Sequence, residues 1–231
     1  MEEKSNQKKE KRSKKEVIYT IKMTILFTCC IGLAIILPVF YILVIGDNSA
    51  YKPIIYLYPT EKTEINVELG NPQKISHSYP KYENSWKVIA EPNGDLIDTK
   101  NGRKLYSLYW EGKNKKTKQI NSGFCIKGSD TTKFLEEKLE ILGLSEREAN
   151  EFIIYWLPKM EENKYNLVYF ETADEINDYM PLNITPTPES LIRVMMIFKA
   201  VDCYVNIPEQ HLETLQRTGF VAVEWGGTEV K

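Results

Sequence analysis

The sequence predicts an α+β protein: a single exported domain of mixed, mainly antiparallel strands with a central helical pair, preceded by one transmembrane helix. Three observations lead to this prediction. Residues 23–46 form an uncharged apolar run, short strand-like runs fill both halves of residues 51–231, and two amphipathic helical patterns lie between those halves. Strands and helices that do not alternate along the chain favour α+β over a parallel α/β fold.

The apolar run "MTILFTCCIGLAIILPVFYILVIG" is long enough to cross a bilayer as a helix. At 1.5 Å per residue, residues 23–46 span about 36 Å, against about 30 Å of hydrocarbon. Seven Lys and Arg residues lie among residues 1–16, which favours a cytoplasmic N-terminus and an exported C-terminal part. A cleaved signal peptide is the alternative, but its apolar core is shorter, about 7–15 residues.

Four parts follow: a basic cytoplasmic tail (1–22), the transmembrane helix (23–46), a short linker (47–50) and an extracytoplasmic domain (51–231). The domain contains 22 Lys and Arg against 27 Asp and Glu. This acidic balance excludes nucleic acid as a partner, because phosphate binding needs a basic face. The expected location is a bacterial cell membrane, and the lipid bilayer is one expected partner.

Five strand-like runs precede the helices. They cover residues 54–59, 63–69, 86–90, 104–110 and 123–128. In the second run, Ile65, Val67 and Leu69 alternate with polar residues, which is typical of a strand with one buried face. The sequence "EPNGD" after the third run predicts a turn.

Two helices are expected next. Apolar residues after Asp130 form one face that ends at Gly143. Ser145 and Glu148 fit a capping box at the start of the second helix, and Pro158 is expected to end or kink it. Strands then return at 165–170, 181–185, 192–201 and 219–225, with a short helix at 208–216 before the last strand.

Two related motifs, "YSLYWEG" and "GFVAVEWGG", hold the candidate site residues. Each places a glutamate, Glu111 or Glu224, beside a tryptophan and just before glycine, at the expected end of a strand. Two carboxylates about 5–9.5 Å apart are the groups that a glycoside hydrolase uses. Glu111 and Glu224 are therefore candidate catalytic residues, and Trp110 and Trp225 are candidate binding residues because aromatic rings serve as sugar platforms.

A structural interpretation of the same motifs is favoured over the catalytic one. Alternation along the last strand places Glu224 and Trp225 on opposite faces. Glu224 is then free to pair with a basic side chain such as Arg193 or Arg217, and aromatic residues are the ordinary filling of a β-rich core. Under this interpretation the glutamates hold strand ends and break no bonds.

The remaining reactive residues give weaker signals. Cys125 and Cys203 lie in the exported part, where an oxidising environment permits a disulfide, although the sequence does not fix their separation. The two histidines, His77 and His211, match no metal-ligand spacing, so no metal site is expected. No glycine pattern for a nucleotide occurs, so no cofactor is expected.

Six segments carry a family resemblance: "KPIIYLYP", "YPKYENSWKVIAEPNGDL", "YSLYWEG", "EFIIYWLPKM", "KYNLVYF" and "GFVAVEWGG". With their YLYP, WEG and VEWGG motifs they resemble a family of bacterial envelope-associated proteins that follow a signal peptide or membrane anchor. The resemblance spans nearly all of residues 51–230. It implies an envelope location and a shared domain, and it transfers no catalytic residue.

The leading functional expectation is a non-catalytic envelope module that binds a protein or a cell-wall glycan. The alternative is an envelope glycan hydrolase that uses Glu111 and Glu224. A transmembrane sensor is disfavoured, because residues 1–22 are too few to form a cytoplasmic output domain.

Overall fold

The structure is a computed structural model of the chain, and it describes residues 22–23, 26–28, 49–113 and 119–230. The chain divides into two compact units, residues 1–46 and 47–231. Within the described ranges, no helix is both long and apolar enough to cross a membrane. Most of the expected transmembrane run lies outside those ranges, so the anchor and the location that it implies stay predictions.

The second unit is built from strands and helices that we number in chain order. The described elements are β1 (Ser49–Tyr58), β2 (Thr63–Leu69), β3 (Ile75–Tyr79), β4 (Trp86–Ala90), β5 (Leu96–Asp98), β6 (Lys104–Leu105), β7 (Leu108–Lys113), β8 (Phe124–Lys127), α1 (Thr131–Ile141), α2 (Glu146–Met160), β9 (Tyr165–Glu171), α3 (Ala173–Tyr179), β10 (Leu182–Thr185), β11 (Ser190–Val201) and β12 (Val221–Glu229). Among the described strand pairs only β11 and β12 are parallel, which confirms a mainly antiparallel α+β fold.

The second unit has three layers, and a hydrophobic core lies between each pair of adjacent layers. A seven-stranded sheet, in the order β3-β7-β1-β12-β11-β9-β8, forms the middle layer. A five-stranded sheet, in the order β10-β2-β4-β5-β6, packs on one face of it around residues such as Ile65, Trp86 and Leu108. Helices α1 and α2 pack on the other face, around residues such as Phe152 and Trp156. The central strands β1 and β12 therefore send alternate side chains into two different cores.

Strand β12 lies at the centre of the seven-stranded sheet, between β1 and β11. Its alternation is confirmed, since Ala222 packs toward the five-stranded sheet and Trp225 toward the helices. The expectation that Glu224 ends the strand is wrong, because β12 continues through both glycines to Glu229. A Cβ atom on Gly227 would lie 2.7 Å from both the Met196 carbonyl oxygen and the Trp156 ring. The glycine thus lets Trp156 pack directly on the strand.

Several expected elements are confirmed. The second strand of the expected order appears as β2 and the third as β4, with the bounds read from the sequence. Helix α1 is followed by Gly143 at φ +85°, a left-handed conformation that suits glycine. The capping box is present: the Ser145 hydroxyl accepts from the Glu148 N–H, and the Glu148 carboxylate accepts from the Ser145 N–H.

Other expectations are wrong for identifiable reasons. The run 104–110 divides into β6 and β7, which belong to different sheets. Helix α2 continues through Pro158 to Met160, so the proline does not end it. Ser49 and Ala50, which the sequence assigns to the linker, belong to β1 and pair with β7. Helix α3 was not expected, although Thr172 and Glu175 form a capping box at its start.

Residues 202–220 form a long crossover that connects the parallel strands β11 and β12. The expected helix at 208–216 is absent from this described segment, which follows the β8 edge instead. Gly123 donates to the Pro208 carbonyl at 2.9 Å and bridges to Glu209. The Gln210 side chain accepts from the Phe170 N–H and donates to the Phe170 carbonyl, at 3.0 and 2.6 Å.

Candidate functional site

Glu224 lies at the centre of a buried polar cluster between the two sheets. Its residue is 0% exposed. The Trp110 Nε1–H donates to Glu224 Oε1 at 2.9 Å, and the Arg193 Nε–H donates to Oε2 at 2.7 Å. Both carboxylate oxygens therefore have a partner, and the charge of Glu224 is neutralised by the guanidinium.

The parallel pairing of β11 and β12 brings this ion pair together, because it aligns Arg193 with Glu224. The guanidinium also donates to Asn177 Oδ1 at 2.6 Å and to the Met180 carbonyl at 2.9 Å. These two acceptors lie in and just after α3. A buried ion pair is tolerated when its remaining hydrogen-bonding groups are satisfied, and α3 supplies those partners. Burial, together with the nearby carboxylates, raises the pKa of Tyr179 beside this cluster.

The structure separates the candidate catalytic pair. Glu111 and Trp110 are neighbours on β7, so their side chains lie on opposite faces of the sheet. Trp110 faces Glu224 between the sheets, whereas Glu111 lies on the helix side with its side chain 22% exposed and 3.5 Å from His77 Nδ1. A two-carboxylate hydrolase needs both groups in one cleft. Glu111 and Glu224 do not meet that requirement.

The candidate binding residues also divide between the faces. Trp110 is brought to Glu224, as just described. Trp225 is fully buried on the helix side, with its ring 5.3 Å from that of Phe152. Neither tryptophan offers a platform to a ligand in solution. The expected pairing of Glu224 with a basic side chain is confirmed, and the partner is Arg193.

The expected disulfide is not formed, since Cys125 and Cys203 are both free thiols. The Cys125 sulfur accepts from the Val205 N–H at 3.3 Å and lines a groove of about 500 Å³. Cys203 is exposed on the crossover. In the part of the chain that the structure describes, no group of three or more His, Cys, Asp or Glu side chains suits a metal ion.

A second cluster lies on the helix side, where α2 crosses β1 and β7. We call it the tyrosine seam, and its members are Tyr56, Tyr58, Tyr106, Tyr109 and Tyr155. The ring of Tyr56 lies 6.4 Å from those of both Tyr58 and Tyr106. Its hydroxyl donates to Glu151 Oε2 on α2 at 2.7 Å. The seam thus joins the sheet to the helix through aromatic and polar contacts.

Cations cover the rings of the seam. Arg147 lies 5.5 Å over the Tyr106 ring, and Arg217 lies 5.3 Å over the Tyr58 ring. Tyr106 is 47% exposed and the Arg147 side chain 65% exposed, so this part of the seam faces solvent. Tyr109 is half-buried nearby, and burial together with the Glu111 carboxylate raises its pKa. The solvent-facing part of the seam therefore consists of one exposed ring, Tyr106, with the exposed Arg147 side chain over it.

Glu148 forms a second ion pair, next to the seam. Its residue is 0% exposed, and its Oε2 accepts from Arg217 Nη1 at 2.8 Å and from the Ser145 N–H at 2.7 Å. Arg217 also donates to the Gly143 carbonyl at 3.0 Å. The capping glutamate of α2 therefore also holds the end of the crossover against the helix.

Comparison with known proteins identifies no similar protein. No family model matches the chain, and searches of curated proteins and of solved structures give no match. The family resemblance of the motifs accordingly stays a prediction, and the site is interpreted from its own geometry.

The sequence contains a partial signal for the seam. Tyr56 and Tyr58 alternate along one strand, and Arg147 and Glu151 lie four residues apart on one helix, where they form an ion pair of 3.8 Å. These patterns show aromatic and charged faces. They do not show that the two faces meet, because that depends on how α2 packs on the sheet.

Proposed function

We propose that this protein is a single-pass membrane protein with a cytoplasmic N-terminus, and that its domain (residues 51–231) is a non-catalytic envelope module that binds cell-wall glycan. The observation that carries the proposal is the solvent-facing part of the tyrosine seam, where Tyr106 is 47% exposed beneath Arg147. The exposed part of this ring offers a sugar an apolar contact, and the guanidinium above it offers donors to the sugar hydroxyls.

The charged groups of the seam suit this ligand. Arg147 lies over the exposed Tyr106 ring, whereas Glu111 and Glu151 contact the hydroxyls of the less exposed Tyr109 and Tyr56. Donors and acceptors of fixed position are what polyhydroxylated ligands require. The anchor is supported by the uncharged run 23–46, which is followed after two residues by the first strand of the domain.

The hydrolase alternative lacks support from the geometry. Glu224 is sealed between the sheets and neutralised by Arg193, and Glu111 lies on the other face. A glycosidase needs one carboxylate to donate or accept a proton at the bond that breaks. The glycan is therefore proposed as a ligand and not as a substrate.

Binding is tested by sedimentation of the full-length chain, in neutral detergent, with purified peptidoglycan sacculi. We expect Tyr106→Ala to weaken binding about three- to tenfold, because one aromatic contact contributes about 0.5–1.5 kcal/mol. Tyr204→Ala is the matched control, since Tyr204 is 61% exposed and its ring contacts Tyr165, away from the seam. Equal binding by the wild type and the Tyr106 variant would contradict the proposal.

A further inference from the structure

Lys52 has the most unusual backbone in the domain. With φ +52°, it is the only non-glycine residue of positive φ in the described ranges. It also precedes Pro53, and a residue before proline normally adopts an extended conformation. The pairing register of β1 shifts around it, against β12 and against β7 alike. A strained residue at a bulge persists when its surroundings impose it, and such residues cluster at ligand sites.

The bulge aims the Lys52 ammonium at aromatic rings. Its Nζ lies 4.8 Å from the Tyr155 ring centroid and 5.5 Å from that of Trp225. Lys159, in the last turn of α2, places its own Nζ 5.0 Å from the same Tyr155 ring. Two ammonium groups therefore share one tyrosine ring. Partial burial lowers the pKa of Lys52, because the charged form loses solvent, and the nearby Glu151 opposes this shift.

The acidic groups near this pair are already engaged. Glu151 accepts from the Tyr56 hydroxyl at 2.7 Å and lies 3.8 Å from Arg147. Its carboxylate therefore offsets Arg147 as well as Lys52, and Lys159 adds a further positive charge. A half-buried ammonium and a second, exposed ammonium beside one ring together suit an oxyanion, because lysine binds phosphate as a point charge.

The position of Lys52 in the chain indicates where that oxyanion comes from. Residues 47–52 follow the uncharged run directly, and six extended residues span no more than about 22 Å. Tyrosine is enriched at membrane–water interfaces, and a lysine near one can extend its ammonium to the headgroups. A phosphate held by the outer leaflet is thus within reach, provided that the anchor crosses the membrane as proposed above.

We propose that Lys52 and Lys159 bind the phosphate of an anionic phospholipid headgroup in the outer leaflet, and so hold the domain against the membrane. This inference rests on the proposed anchor but not on glycan binding. The contact would add to the covalent tether by fixing one end of the domain at the bilayer surface, and it would weaken as salt screens the charges.

The test is lysine acylation, read residue by residue by mass spectrometry, on the full-length chain in neutral detergent. Short-chain phosphatidylglycerol, short-chain phosphatidylcholine and inorganic phosphate are added in parallel. We expect phosphatidylglycerol alone to protect Lys52 and Lys159. Lys159→Gln should raise the concentration needed to protect Lys52 about fivefold, because one lysine near an anionic surface contributes about that factor.

Two control variants keep the test specific. Lys62→Gln removes an exposed lysine that pairs with Glu91, and it should leave protection unchanged. Lys52→Arg keeps the charge at the bulge, so its Lys159 should stay protected. Equal protection by phosphatidylcholine, or no effect of Lys159→Gln, overturns the proposal. Equal protection by inorganic phosphate overturns the lipid as the source and assigns the site to a soluble phosphate ligand.

The anchor is tested separately, by adding protease to intact cells that express the full-length chain. Digestion of the domain from outside with no headgroup protection in detergent refutes this inference alone. Headgroup protection with a domain that resists external protease refutes the proposed topology instead, and with it the outer-leaflet assignment.

Discussion

Each face of the seven-stranded sheet carries an ion pair between a glutamate and an arginine, but the two pairs differ in their exposure to solvent. Toward the five-stranded sheet, Glu224 pairs with Arg193, whose side chain is 1% exposed. On the helix side, Glu148 pairs with Arg217, whose side chain is 29% exposed. Both carboxylates are fully buried, so the difference lies in the cation. One guanidinium is sealed by α3, and the other reaches solvent over the Tyr58 ring.

This difference separates a structural face from an accessible one. A sealed pair loses the hydration of both charges, so every donor must find a protein partner, as Arg193 does on α3. A pair that opens to water keeps part of its hydration and tolerates change. The motif glutamate that looked most catalytic lies on the sealed face, whereas the solvent-facing charges border the tyrosine seam.

The largest expected effect comes from breaking the sealed pair. Arg193→Met leaves Glu224 buried without a counter-charge, and we expect a loss of about 3–5 kcal/mol in the free energy of unfolding. Urea denaturation of the full-length chain, followed by tryptophan fluorescence, measures this loss. The double variant Arg193→Met/Glu224→Gln should recover most of it, since the amide stays neutral and still accepts from Trp110. A double variant no more stable than the single one would contradict the sealed-pair account.

A smaller effect is expected from the open pair. Arg217→Ala should cost about 1–2 kcal/mol, because Glu148 keeps its bond from the Ser145 N–H and water reaches the vacated side. The same denaturation experiment compares it with Arg147→Ala, a 65% exposed arginine of the seam whose loss should cost at most about 0.5 kcal/mol. If Arg217→Ala lowered the free energy of unfolding as much as Arg193→Met, the proposed difference between the two faces would be contradicted.

A pH-dependent effect, which is the sharpest test of the seam's burial, concerns Tyr56. Burial first, and then the Glu151 carboxylate, raise the pKa of this tyrosine in the folded state. The folded protein therefore holds the phenol proton when the unfolded chain releases it, above about pH 10. The stabilisation is complete below that pH and is lost as the pH rises further.

Tyr56→Phe should remove this alkaline loss at a rate of about 1.4 kcal/mol per pH unit. Denaturation midpoints between pH 8 and pH 11 measure the slope. Tyr204→Phe is the control, because that tyrosine is exposed and should leave the slope unchanged. Identical slopes for the wild type and Tyr56→Phe would contradict a buried Tyr56 hydroxyl that is hydrogen-bonded to Glu151.

Local sequence patterns identified much of the fold and little of the site. The alternation of Ile65, Val67 and Leu69 marks β2 because it depends on neighbouring residues alone, and the capping box at Ser145 does so for α2. The partner of Glu224 depended on a parallel register between two strands, with Arg193 31 residues away. Both Arg193 and Arg217 were compatible with the sequence, and only the sheet order selects Arg193.

No feature of the sequence predicts the positive φ of Lys52. Lysine before proline is normally extended, and the bulge arises from pairing with two other strands. The missed helix α3 had a local signal, the capping pair Thr172 and Glu175, but its length of seven residues gives little apolar periodicity. Tertiary pairing, and not local preference, decides such positions.

The side-chain amide of Gln210, on the crossover, covers part of the edge of the seven-stranded sheet. Strand β9 extends beyond its neighbour β8, so the backbone of Phe170 would otherwise present an open N–H and C=O to foreign strands. The Gln210 side chain occupies both groups and imitates a missing strand. Unpaired sheet edges are where fibrils and misassembled oligomers begin. By bonding both groups, Gln210 disfavours self-association at that position.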